Sequence, residues 1–175
     1  MPLQVSMELL REVSRSFYLS LRVLPAEIRP QISLAYLLAR ASDTVADTKA
    51  VPRGRRLELL RRMRAGDFAS VAELSSGQAS PAERLLLERL DECSAVLAGL
   101  DAEDRDLVLK LLDTIVSGQS FDLERFPGES GEGVLALSND EELDRYTYLV
   151  AGCVGEFWTR MCAAHLEPFR GLDQD

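Results

Sequence analysis

Apolar positions along the chain recur at spacings of three and four, and no stretch alternates at the period of two expected of a half-buried strand. The pattern predicts helices throughout. A first helix covers roughly residues 5–12, Ser14-Arg15-Ser16-Phe17 marks a break, and residues 16–23 continue helically until Pro25. Pro30 suits the first turn of a long helix that ends near Lys49, ahead of Pro52. Residues 53–64, RGRRLELLRRMR, form a basic amphipathic segment punctuated by Gly66 and Asp67. SSGQASP at 75–81 reads as a loop, and 82–98 and 102–125 as two further helices, the second starting after a capping Asp101. PGESGEG at 127–133 is a loop, and Asn139-Asp140 open a last long helix running to about His165. There is no internal repeat, and the loops are too short to separate domains.

Within the long helix, Tyr36, Arg40, Asp43 and Asp47 fall at offsets 0, 4, 7 and 11 and share one stripe. Leu34, Leu37, Leu38, Ala41 and Val45 surround that stripe with apolar surface. Ionised groups placed there lose hydration at several kcal/mol each unless something compensates them. A divalent metal carrying a phosphate would do so. Carboxylates at i and i+4 project from one face about 6 Å apart. Magnesium takes one or two carboxylates together with phosphate oxygens and waters. DxxxD is a common spacing and often means two solvated acids; the apolar setting, with Arg40 and Tyr36 on the same stripe, is what favours the metal.

Other stretches are weaker alone. Ser14, Arg15 and Ser16 form a hydroxyl–cation–hydroxyl cluster ahead of a helix, which suits a phosphate but equally an ordinary cap. Gly152 and Gly155 lie inside the last predicted helix, where each costs roughly 1 kcal/mol relative to alanine. Close helix packing or room for a ligand would explain them. Gly118 and Asp122, one turn apart, carry the same ambiguity.

Charge divides the chain. Over residues 1–66 Lys and Arg outnumber Asp and Glu by 12 to 6, and over 67–175 the acids lead by 23 to 8. A basic N-terminal third is compatible with an anionic ligand, and the acidic remainder with few aromatics argues against nucleic acid. The basic run at 53–64 is read first as a solvated face, with attraction to an anionic membrane surface, a peripheral contact, as the sharper alternative. Cys93, Cys153 and Cys162 are widely spaced without CxxC, and His165 is the only histidine, so no zinc site is expected. The cysteine usage fits a reducing cytoplasm. Neither a signal-peptide core nor an apolar run of membrane-spanning length is present in these residues, so a cytoplasmic protein, at most attached to a membrane surface, is expected.

Four stretches taken in order, SRSF (14–17), YLLARASDTVADT (36–48), GQSFDL (118–123) and YTYLVAGCVG (146–155), resemble the squalene and phytoene synthase family. The resemblance runs over essentially the whole chain. It implies an all-α fold, an isoprenoid synthase-type helical bundle around a central cavity. The implied activity is magnesium-dependent, head-to-head joining of two prenyl diphosphates through a cyclopropylcarbinyl diphosphate. By position, Asp43 and Asp47 match the family's first acidic motif, which binds Mg²⁺ bridging to diphosphate. Arg40 and Tyr36 match diphosphate contacts, as do Ser14, Arg15 and Ser16, and Tyr146 matches a cavity tyrosine implicated in proton handling. Farnesyl diphosphate is the expected substrate; NADPH enters if squalene is the product. Ala46 stands where many relatives carry an acid.

The family's second acidic motif has no counterpart after Tyr146, where the acids are Glu156, Glu167, Asp173 and Asp175. Residues 1–175 are therefore expected to be the N-terminal portion of one such domain, apparently truncated, with self-association through an exposed cavity wall as a corollary. Two other readings stay open: a non-catalytic module for assembly or lipid binding, and a helical interaction protein whose DxxxD is coincidental.

Overall fold

The computed structural model describes residues 7–14, 16–126 and 135–170. Among them are nine α-helices and no strand: α1 Met7–Ser14, α2 Phe17–Val23, α3 Arg29–Asp47, α4 Arg53–Arg64, α5 Pro81–Glu88, α6 Leu90–Gly99, α7 Ala102–Arg125, α8 Asp140–Thr147 and α9 Cys153–His165. The all-α expectation holds. No described helix is long and apolar enough to cross a membrane.

The long helices begin where local chemistry starts them. Pro30 occupies the first turn of α3, where its missing N–H is no loss. Asp101 accepts from the Asp104 N–H at 2.9 Å to cap α7, and Asn139 accepts from the Glu142 N–H at 2.8 Å to cap α8. In α3, Leu34, Leu37, Leu38, Ala41 and Val45 are fully buried, and the helix lies against α7, α4 and α6.

Two polar contacts define how α3 meets α7. Gln31 donates to Asp104 at 2.7 Å near the start of both helices, and Gln119 donates to Asp43 at 2.6 Å further along both. The helices therefore run parallel, with the two contacts about 18 Å apart along α3. The chain then returns antiparallel: Tyr146 of α8 bonds to Asp122 late in α7, and His165 Nε2 at the end of α9 lies 2.6 Å from Asp104 Oδ1. A single π-helical turn, Tyr148–Gly152, joins α8 to α9.

Four expectations need correction. The span 82–98 is not one helix but α5 and α6, broken at Arg89, whose guanidinium turns to Glu92. No glycine or proline marks that break; both halves pack on α3, and α5 packs on α1 as well. Part of the expected loop at 75–81 belongs to a 3₁₀ segment, Ala69–Gly77. The last helix is interrupted by the π turn. The first helix is shifted, to Met7–Ser14 against the expected 5–12. The loop expected at 127–133 and Arg15 lie outside the described residues.

Of the glycines for which close packing was one reading, Gly118 makes the tightest approach to a facing element and Gly155 makes none. A Cβ on Gly155 would meet nothing within 4 Å, and one on Gly152 only the Tyr148 ring of the preceding turn. A Cβ on Gly118 of α7 would stand 3.0 Å from Leu149 Cβ and 3.3 Å from the Leu149 backbone, in the π turn. Gly118→Ala is therefore expected to destabilise the fold by about 1–3 kcal/mol through overpacking. Gly155→Ala should stabilise it by up to about 1 kcal/mol through helix propensity. Urea unfolding of both variants checks the pair, and equal effects would refute the assigned contact.

Candidate active site

The faces that α3 and α7 turn toward α8 and α9 change character along their length. Near the N-terminal halves, Ile32, Ala35, Tyr36 and Ala39 of α3 and Leu111 and Ile115 of α7 form an apolar cleft of about 110 Å³, closed by Val154, Phe157 and Trp158 of α9 and by Phe17. One to two turns further on, Asp43, Ala46 and Asp47 of α3 and Gly118, Gln119 and Asp122 of α7 line a polar cavity of about 280 Å³. Tyr146 and Val150 close it from the returning segment, and Lys49, Arg53 and Arg56 bring positive charge from the α3–α4 connection and α4.

The first acid is held in place. Gln119 Nε2 donates to Asp43 Oδ1 at 2.6 Å and to Ser42 Oγ at 3.0 Å, and the Ser42 hydroxyl donates to the Ala39 carbonyl at 2.8 Å. Gln119 Oε1 is buried without a hydrogen-bond partner. Burial pushes the Asp43 carboxyl above its ordinary value, against the Gln119 hydrogen bond and the Arg40 charge, with the Asp47 charge adding to the rise. Asp47, one turn on, is exposed on the same cavity. On the opposite side the Tyr146 hydroxyl donates to Asp122 Oδ1 at 3.1 Å, and its ring packs at 5.9 Å on Phe121.

The expected site residues divide. Asp43, Asp47 and Tyr146 meet in the polar cavity. Tyr36 is on the apolar cleft, its ring 5.0 Å from Phe17. Arg40 is turned to α5, where it pairs with Glu83 at 2.8 Å, and it does not line the cavity. Ser14 is buried with its hydroxyl donating to the Leu10 carbonyl, and Ser16 is exposed at the start of α2 without a side-chain cap bond. Neither serine lines the cavity.

Gln119, Lys49, Arg53 and Arg56 are the residues that sequence reasoning passed over. Gln119 had a legible signal, because it is four residues from Ile115 and three from Asp122 and so shares their face. The arginines were hidden in a run read as one face. Within that run Arg55 pairs with Glu58 and Glu73, Arg62 with Glu58 and Asp67, and Arg64 with Asp113, so much of its charge is met inside the chain. Arg56 is buried and donates to the Ala46 carbonyl at 2.7 Å.

Among the described residues no group of three or more His, Cys, Asp or Glu side chains could enclose a metal alone. A pair of carboxylates beside cationic side chains instead suits a hard ion that arrives with phosphate, since Mg²⁺ leaves most of its shell to phosphate and water. Asp43, raised by burial and bonded directly to a neutral amide, is the group such an ion would relieve.

Comparison with known proteins decides the lineage. The squalene/phytoene synthase family model matches residues 10–174. The chain belongs to that family. It is 30% identical over 148 residues to the squalene synthase LSS of Botryococcus braunii, covering 85% of this chain and 29% of that protein. It is 27% identical to the squalene synthase of Schizosaccharomyces pombe, over 89% of this chain and 33% of that one. With the bifunctional lycopene cyclase/phytoene synthase of Blakeslea trispora it shares 26% identity, over 93% of this chain and 25% of that protein. Two solved complexes of TcSQS with a ligand share its fold, with TM-scores of 0.72 and 0.68 at 23% and 24% identity. They are matched over 96% and 90% of this chain and over 47% and 43% of theirs. The family member described here thus spans about a quarter to a third of the length of these curated relatives.

The raised Asp43 carboxyl has a measurable consequence. A carboxyl that titrates above its ordinary value of 3.8 in the folded chain binds its proton more tightly there than in the unfolded chain. Its ionised form therefore costs stability, fully above the folded value, less as pH falls through it, and not at all below about 3.8. Asp43→Asn keeps an acceptor for Gln119 and removes the charge. Its thermal midpoint should exceed wild type at pH 7 without metal, the gap narrowing as pH falls toward 3.8. A lower midpoint at pH 7 would refute the burial argument.

Proposed function

We propose that this chain carries the metal- and diphosphate-handling wall of a magnesium-dependent prenyltransferase that joins two prenyl diphosphates head to head. It would be the N-terminal portion of one such domain, with farnesyl diphosphate as substrate and squalene or its precursor as product. The observation that carries the reading is the juxtaposition of an apolar cleft and an acid-lined cavity on consecutive turns of the same two helix faces. A molecule with a long hydrocarbon tail and a diphosphate head has that division of chemistry. The family membership supports the same class of reaction.

Asp43 and Asp47 would hold the ion, with Gln119 fixing the direction of the Asp43 carboxylate. Bound Mg²⁺ supplies positive charge to the departing diphosphate. Lys49 and Arg53, on the same cavity, add charge toward phosphate oxygens and favour the same leaving group. Ile32, Ala39, Ile115 and Trp158 keep water from an allylic cation until the second double bond attacks it. Tyr146 handles the proton released when the cyclopropane closes. Contact of Arg40 with the diphosphate would require it to leave Glu83; that pair is partly exposed and worth under about 1 kcal/mol, so the exchange is inexpensive. Reduction to squalene would draw on NADPH.

The reading to set against this one is a module that binds a prenyl diphosphate without cleaving it. It is favoured by a cavity whose carboxylates, Asp43, Asp47 and Asp122, do not come together as a metal-holding group among the described residues. Thermal melts with Mg²⁺, with farnesyl diphosphate, and with both test the two together. The midpoint should rise only with both present, by the equivalent of about 2.7 kcal/mol at ligand a hundredfold above its Kd. Asp43→Ala should abolish the rise. Release of pyrophosphate identifies the enzyme, binding without release the module, and no shift under any condition refutes both.

A further inference from the structure

We propose that Asp122 is the terminal acceptor of the proton removed at Tyr146, so that the phenol works as a relay. This inference rests on the condensation reading above. Both residues line the polar cavity, and the Tyr146 hydroxyl donates to Asp122 Oδ1 at 3.1 Å. An ionised carboxylate only accepts, so the bond has one direction: the phenol's proton is committed to α7. What Tyr146 then offers to the cavity is an oxygen with free lone pairs. That oxygen can face an electron-poor carbon or accept a proton, but it cannot at the same time donate one.

The phenol is a poor base by itself. Burial raises it above its ordinary value, and the hydrogen bond and charge of Asp122 raise it further, so it stays neutral at physiological pH. A neutral phenol gains a proton from carbon only while surrendering its own. Asp122 is already on the line along which that proton leaves. The Phe121 ring beside Tyr146 holds the phenol from one side, and the Gly118–Leu149 contact one turn earlier presses the returning segment against α7.

The step balances. After the second double bond has attacked the allylic cation, the former allylic carbon, two bonds from the new tertiary cation, loses a proton, and the electrons of that C–H bond close the cyclopropane onto the cationic carbon. The proton bonds to the Tyr146 oxygen as the phenolic O–H bond breaks toward Asp122 Oδ1. Tyrosine ends unchanged, Asp122 ends as the neutral acid, and one positive and one negative charge cancel. Asp122 is thus a positioning residue that acts through Tyr146.

The test uses Mg²⁺ and farnesyl diphosphate with wild type, Asp122→Asn, Asp122→Glu and Tyr146→Phe, measuring pyrophosphate and the cyclopropylcarbinyl diphosphate together. In Asp122→Asn the ratio of that product to pyrophosphate should fall at least 100-fold, the scale of a lost general base, with carbon diverted to allylic alcohols. Asp122→Glu should restore part of the ratio. An unchanged ratio in Asp122→Asn, whether total turnover is kept or lost, would overturn the relay. If wild type releases no pyrophosphate, the condensation reading fails instead, and the pair is judged on the chain itself. With ¹³Cζ-labelled tyrosine, the Tyr146 resonance, identified by its loss in Tyr146→Phe, should move in Asp122→Asn. A resonance that stays in place overturns the pairing.

Discussion

The amide of Gln119 meets Asp43 at one end of the α3–α7 pair while the amide of Gln31 meets Asp104 at the other, and both contacts are shorter than 2.8 Å. Hydrophobic packing between two helices is nearly indifferent to a slide of one turn, because one leucine resembles the next. Buried Gln31 and Asp104, and half-buried Gln119 and Asp43, are not indifferent. Each loses its partner when the register slips, at a cost of up to about 1–3 kcal/mol per stranded group. Two such contacts far apart leave one register. In that register the apolar residues of both helices face each other across one cleft and the acids gather beside it. Asp104 extends the constraint to a third helix through His165.

The same geometry sets the electrostatic character of the cavity. Three carboxylates and three cationic side chains line it, yet Asp43 is not met by a guanidinium; its direct partner is a neutral amide. An amide orients a carboxylate without cancelling its charge. The acid is therefore aimed and still hungry for a cation, at a cost in stability of the empty fold. Natural sites commonly carry such a cost where function requires it. Arg40 illustrates the opposite choice: its charge is answered by Glu83, away from the cavity.

Much of this was legible in the chain because the long helices are punctuated. Pro30, Asp101 and Asn139 carry start signals with a direct physical meaning, and the starts of α3, α7 and α8 fall beside them. The break at Arg89 was not legible, since apolar spacing continues across it and both halves pack on α3, so no change of period marks the point where they part. Asp43 and Asp47 were singled out because acids in an apolar helix are informative, and Tyr146 only through the resemblance of YTYLVAGCVG to the family. Arg40 shares the stripe by spacing, but a long side chain chooses its partner in three dimensions, and no periodicity reveals Glu83 forty-three residues away. The glycine signal was mixed: Gly118 does meet the π turn closely, as one reading of it allowed, while Gly155 faces open space.

That π turn works as a vernier on the returning segment. In an uninterrupted α-helix, Tyr146 and Val154, eight residues apart, would point about 80° away from each other. One widened turn between them absorbs roughly the rotation of a single residue, about 100°, and brings them back nearly into line. A phenol can thereby look into the ionic compartment while Val154 and Trp158 look into the greasy one, on a rod that never leaves the surface of α7. Deleting one residue from 148–152 would leave both flanking helices intact and still swing Tyr146 out of alignment, so the spacing of this segment is under a constraint that its composition does not reveal.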